Sequence, residues 1–187
     1  MVRASPFVSR EPLCFAWKAL CSAMGMHRPR PTRLKHFPYI GKYHYSLCFI
    51  TRARRRVFES RELASAASVQ IQQTCELEMF VVLAYCVMPD HVHLVIGGLT
   101  DRSDLRRCVK LVKQRVEYVA RKEFRVLHLW QKGYYDHILR SRHALEDAIR
   151  YVLDNPVRAG LARRSGEYPF ARASHPFAQI FHPQRER

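Results

Sequence analysis

The chain has 187 residues, 48% of them hydrophobic, which excludes a disordered polymer and suits one domain with a buried core better than two. Its 32 Lys plus Arg against 16 Asp plus Glu leave a formal charge of +16, so the partner to expect is a polyanion, above all a nucleic acid. Six cysteines form no C-x-x-C pair and no apolar run approaches membrane length, which argues against a disulfide scaffold, a cysteine zinc site and a membrane span.

Residues 1–25 read as an N-terminal extension, disordered or the product of an early assigned start, with Met26 as the alternative start of translation. "LCFAWKALCSAM" imitates a secretory apolar segment, but Lys18 interrupts it and Glu11 precedes it. "HRPRPTRLKHFPYIG" follows as an extended Arg/Pro arm, because each proline disfavours helix at the residue before it. "GKYHYSLCFITR" (41–52) alternates as a strand with Tyr43, Tyr45, Leu47 and Phe49 on one face. After the basic turn "TRARRRVF", Ser60 is placed to cap a helix over about 61–75.

Residues 77–87, apolar on both faces, predict a central strand. Met88, Pro89 and Asp90 make a tight connection to a second strand over 91–96, which Gly97 and Gly98 end. Ser103 is expected to cap a helix over about 104–123 whose buried stripe is Leu105, Val109, Val112, Val116 and Val119. Gly133 turns into a strand over about 134–140. A final helix over 143–155 is expected to stop at Asn155, before Pro156. The order β-α-β-β-α-β-α predicts an α+β, ferredoxin-like (split βαβ) antiparallel sheet with helices mainly on one face. The domain is expected to span 26–173, with a tail over 174–187.

Two histidines occupy alternate positions of the apolar strand, so His91, His93 and Val95 share one face and Val92, Leu94 and Ile96 the other. Half-exposed sheet histidines with no role would look the same. Two neutral imidazoles at this spacing can also reach one divalent cation, and a third donor must then come from elsewhere. Tyr151 and Asn155, four residues apart on the last helix, share a face, although on spacing alone a core-edge tyrosine and a helix stop explain them better.

"MPDHVHL" (88–94), "LWQKGYYDHILR" (129–140) and "RYVLDNPVRAGL" (150–161) occur in an order and spacing that resembles the REP-associated tyrosine transposases, part of the HUH (His-hydrophobe-His) single-tyrosine transposases of insertion sequences. "RPRPTRLKHFPYIGKYHYSLCFITRARRRVF" (28–58) is similar to that group's arm and first strand, so the resemblance covers about residues 28–173. It implies His91 and His93 as metal ligands, Tyr151 as the nucleophile and Asn155 as the third ligand, where insertion-sequence relatives carry glutamine. It also implies Mg²⁺ or Mn²⁺ as cofactor and a covalent 5′-phosphotyrosine that a 3′-hydroxyl can later attack. The implied substrate is single-stranded hairpin DNA from palindromic repeats. His137 is assigned a supporting position behind the ligands. Tyr134 and Tyr135 lack an amide four residues on and are read as strand or DNA-contact residues.

DNA would be held electrostatically by Arg28, Arg30, Arg33 and Lys35 of the arm, by Arg52, Arg54 and Arg55 of the basic turn, and by Arg106, Lys110 and Lys113 of the second helix. Tyr39, Tyr43, Tyr45, Phe49, Tyr134 and Tyr135 are candidates for stacking bases, some of them being core. The expectation is a DNA transposase or nickase, acting as a monomer with a dimer as the alternative, in the cytoplasm at the nucleoid. The competing reading is a domesticated, non-catalytic DNA- or RNA-binding protein on the same fold. A hydrolytic metalloenzyme for small substrates leaves the basic excess unexplained.

Overall fold

In the computed structural model the structure describes residues 37–174. The elements in chain order are β1 (His44–Ile50), α1 (Arg61–Leu77), β2 (Phe80–Met88), β3 (His91–Gly98), α2 (Leu105–Phe124), β4 (Tyr135–Leu139), α3 (Arg142–Arg158) and β5 (Ala171–Ala173), with two short 3-10 turns at Arg52–Arg54 and Val57–Glu59. The strands form one five-stranded sheet in the order β4-β1-β3-β2-β5, each neighbouring pair antiparallel. Strands β1 and β2 flank β3, the arrangement that a crossover through α1 produces. The expected ferredoxin-like architecture is present, and β5 extends it at one edge.

Register divides the side chains between two layers. Tyr45, Leu47 and Phe49 stand beside Ile96, Leu94 and Val92, and with Tyr85 and Val87 they pack against α1 and α2. α2 contributes Leu105, Cys108, Val109, Val112, Val116 and Ala120 to that core. The other face carries Cys48, Cys86, Met88 and Val95, and Leu145, Ile149, Val152 and Leu153 of α3 close over part of it. Two helices thus lie on one face and the third on the other, the face of His91 and His93.

Local signals explain most boundaries. The Ser60 hydroxyl accepts from Leu63 N–H at 3.2 Å and starts α1 as expected. The cap of α2 is Asp104, whose carboxylate accepts from Arg106 and Arg107 N–H, whereas Ser103 donates its hydroxyl to the Met79 carbonyl. Ser103 is therefore a brace between β2 and the helix entry. Gly98 passes so close to Gly41 that a Cβ would run into the Gly41 carbonyl oxygen. α3 does not stop at Asn155 but continues through Pro156 to Arg158, with Ala159 N–H donating to the Asn155 carbonyl and Leu161 N–H to the Pro156 carbonyl. Cys48, Cys75, Cys86 and Cys108 are buried free thiols. No helix among the described residues is long and apolar enough to cross a membrane.

Candidate active site

The histidine face of β3 is the starting point. His93 is fully buried beneath α3 and His91 is half-buried at the strand's first position, so the pair does not stand on an open surface as its spacing suggested. Their Nε2 atoms face each other at 3.0 Å, with the rings nearly perpendicular. Asp90, in the turn before β3, meets His91 Nδ1 through Oδ1 at 2.6 Å and accepts from Arg54 Nη1 on Oδ2 at 3.0 Å. Burial pushes the Asp90 carboxyl up, but the hydrogen bonds and charges of His91 and Arg54 outweigh it and bring the group down to about 2. A carboxylate on Nδ1 fixes the tautomer that leaves the His91 Nε2 lone pair facing the site.

α3 delivers the tyrosine to the same face. The Tyr151 ring stands edge-on to the His93 imidazole, centroids 5.7 Å apart, and is buried. Asn155, also buried one turn later, donates from Nδ2 to the Tyr151 carbonyl at 3.0 Å, so that Oδ1 is the atom that could serve as a donor to a cation. His91, His93 and Tyr151 are therefore brought together from two separate elements, with Asn155 alongside on the helix.

Whether the pair suits a cation follows from the same distance. Two nitrogens at right angles on an octahedral ion, each about 2.1 Å from it, are about 3.0 Å apart. The separation of the two Nε2 atoms matches that bite. The donor chemistry, two imidazoles and an amide oxygen, suits a borderline or hard divalent ion. Among the described residues no group of three His, Cys, Asp or Glu side chains is placed to hold a metal ion, so a third donor would have to be an amide or come from outside the chain.

Other expected residues fall elsewhere. His137 lies on the histidine face, in register with Ser46, one row further along the sheet and exposed. Tyr135 shares the Cys48 row with His93, two strands away. Tyr134 packs its ring against Phe49, centroids 6.2 Å apart, on the side of the main core. Tyr39, Tyr45 and Phe49 are buried core residues and do not present faces to bases; Tyr43 is exposed.

Of the basic candidates, Arg28, Arg30, Arg33 and Lys35 lie outside the described residues. Arg54 pairs with Asp90, and Arg55 Nη2 donates to the carbonyls of Leu127 and His128 at 2.8 and 2.6 Å. Lys113 donates to the carbonyls of Gln131 and Gly133 at 3.0 and 2.6 Å, and burial lowers its pKa. Arg55 and Lys113 thus tether the loop before β4, because sequence gives no sign that chain carbonyls will capture them. Arg52 is exposed, as are Arg106 and Lys110, which project from α2 on the layer opposite Tyr151, Arg106 over the Tyr39 ring at 5.1 Å.

Two residues of the site carried no assigned role in the sequence. Asp90 reads only as a turn former, although its place directly before the first histidine was the available signal. Arg158 lies past a proline, yet its Cζ sits 4.1 Å from the Tyr151 ring centroid.

Comparison with known proteins agrees with this geometry. Residues 39–155, well over half of the chain, match the family model described as transposase, IS200 like. A Haemophilus influenzae protein provisionally named a REP-associated tyrosine transposase is 23% identical over 112 residues, 54% of this chain and 62% of that protein. The REP-associated tyrosine transposase of Escherichia coli is 20% identical over 104 residues, 56% of this chain and 61% of that protein. The chain thus spans about three fifths of the length of these relatives. Among solved structures, that of a REP-associated tyrosine transposase bound to a REP hairpin superposes with a TM-score of 0.58 at 18% identity, covering 75% of this chain and 81% of the other, and shares its fold. With a family match across the sheet, the histidine strand and the tyrosine helix, this chain belongs to the IS200-like transposases.

Proposed function

We propose that this chain is a REP-associated type of transposase that cleaves and rejoins single-stranded hairpin DNA through Tyr151. The observation that carries the reading is the convergence of the His91 and His93 Nε2 atoms at 3.0 Å beside the Tyr151 ring, reached from two different elements. A structural relative is named for its complex with a REP hairpin, which supports DNA of that form as the partner. The +16 charge supports the same class of ligand.

His91, His93 and Asn155 would hold a divalent cation, Mg²⁺ or Mn²⁺. When bound, that ion supplies Lewis-acid polarisation of a phosphodiester oxygen. The phenol of Tyr151 is the nucleophile: its oxygen bonds to phosphorus, and the bond from phosphorus to the 3′-oxygen breaks. The phenolic proton passes to solvent and the departing 3′-oxygen takes one up from solvent, so that strand leaves with a free 3′-hydroxyl. The 5′-phosphotyrosine keeps the ester, so a 3′-hydroxyl can reverse the step and join a new strand without an external energy source. Asp90 holds His91 in register for the ligand role, and the cover of α3 limits water around His93.

The test is a denaturing gel of wild-type protein, incubated with palindromic single-stranded oligonucleotides and Mn²⁺. A protein–DNA adduct that survives denaturation is expected, and Tyr151→Phe should abolish it while hairpin binding persists. EDTA or His93→Ala should suppress it by about 100-fold or more. An adduct undiminished in Tyr151→Phe removes Tyr151 from the mechanism. Hairpin binding without any adduct leaves the non-catalytic DNA- or RNA-binding reading.

A further inference from the structure

The last turn of α3 puts a cation on the tyrosine. Arg158 is seven residues beyond Tyr151, about two helical turns, so the two share a side of the helix. Its guanidinium carbon lies 4.1 Å from the Tyr151 ring centroid, well within cation–π range. Nη2 donates to the Tyr151 carbonyl oxygen at 2.8 Å, so the group is anchored to the backbone of the residue it covers. The ring beneath is 7% exposed, whereas Arg158 itself is exposed. The guanidinium is therefore a layer between the tyrosine ring and solvent.

We propose that Arg158 is a working residue of the strand-transfer centre, holding the Tyr151 ring in place and binding the phosphate that Tyr151 attacks. This rests on the reading of Tyr151 as nucleophile. A guanidinium has five N–H donors in a planar fork, and the backbone contact uses one of them. The remaining donors can grip two non-bridging oxygens of one phosphate side by side, with the ring face fixing the plane of the fork. Negative charge on those oxygens is present throughout the transfer and remains in the phosphotyrosine diester, so the contact serves both cleavage and rejoining.

The experiment measures single-turnover adduct formation by the full chain with Mn²⁺, on the hairpin oligonucleotide that wild type modifies best. Arg158→Ala should slow the step by about 100-fold while the hairpin Kd changes by less than about threefold. Added methylguanidinium should restore part of the lost rate in Arg158→Ala and leave wild type unaffected, and Arg158→Lys should be faster than the alanine variant. An Arg158→Ala rate within about threefold of wild type overturns the proposal, as does a loss that neither methylguanidinium nor lysine relieves. Absence of adduct with wild type, or its persistence in Tyr151→Phe, overturns the Tyr151 reading instead.

Discussion

Asp90 sits between a guanidinium and an imidazole, and its two oxygens divide the work. Oδ2 takes Arg54, which holds the carboxylate in the turn, and Oδ1 takes His91 Nδ1. The turn itself is fixed by Thr51, whose N–H and hydroxyl both donate to the Asp90 carbonyl, at 3.0 and 2.9 Å. A ligand histidine whose second nitrogen is so tethered loses little freedom on binding an ion. Removing such an outer partner usually lowers metal affinity by about 10–100-fold. Asp90→Ala should therefore weaken Mn²⁺ binding by about that factor in a calorimetric titration, with folding retained. Unchanged Mn²⁺ affinity would deny Asp90 this role. The histidine pair is legible in sequence because alternation along a strand is a purely local rule. Asp90 as its tether is not, because that depends on the path of the chain from Thr51 to the turn.

At the scale of elements, patterns with a single strong period translated directly: β1, β2, β3, α1 and α2 lie within a few residues of their expected bounds. The misreadings occur where two signals compete. Asn155 precedes a proline, which disfavours helix, yet α3 continues because Pro156 is buried and the following carbonyls find donors in Ala159, Gly160 and Leu161. That extra turn is what carries Arg158 over Tyr151. β5 is only three residues long and has no alternation to detect, so it is defined by pairing with Ala84–Cys86 of β2. Gly98 shows the opposite case, a strand end whose residue type is dictated by a contact distant in sequence. Gly98 N–H donates to the Tyr43 carbonyl at 3.0 Å while its Cα faces the Gly41 carbonyl, and no side chain fits between. Gly98→Ala should destabilise the fold by about 1–3 kcal/mol in denaturant unfolding, by forcing the 41–43 segment away from β3. An unchanged unfolding midpoint would mean that this segment yields without cost.

Across the whole molecule the sheet puts the histidine–tyrosine cluster on one face and the basic side of α2 on the other. Leu145, Ile149, Val152 and Leu153 of α3 need a sheet face to bury them, and the helix's own sequence does not say which. Packing decides that: α1 and α2 fill the face of Leu47, Phe49 and Leu94, so α3 takes the other and encloses His93. The exposed cations Arg106 and Lys110 consequently lie across the sheet from Tyr151, too far round to reach a phosphate placed beside its ring. In the proposed DNA complex they would act on the hairpin's backbone, where each phosphate contact adds about 0.7–0.9 to the slope of log affinity against log salt. The double variant Arg106→Ala/Lys110→Ala should bind a hairpin more weakly and with a slope shallower by about 1–2, while the adduct rate at saturating DNA stays at the wild-type value. His93→Ala should do the reverse, losing the adduct and keeping the salt slope, because His93 is fully buried beneath α3 and adds nothing to the exposed electrostatic footprint. If the α2 variant lowers the saturated rate as well, the basic side of α2 contributes to chemistry and the two faces are not independent. If it binds as wild type does at every salt concentration, the electrostatic footprint belongs to other cations, and the hairpin reaches Tyr151 without crossing the α2 side of the sheet.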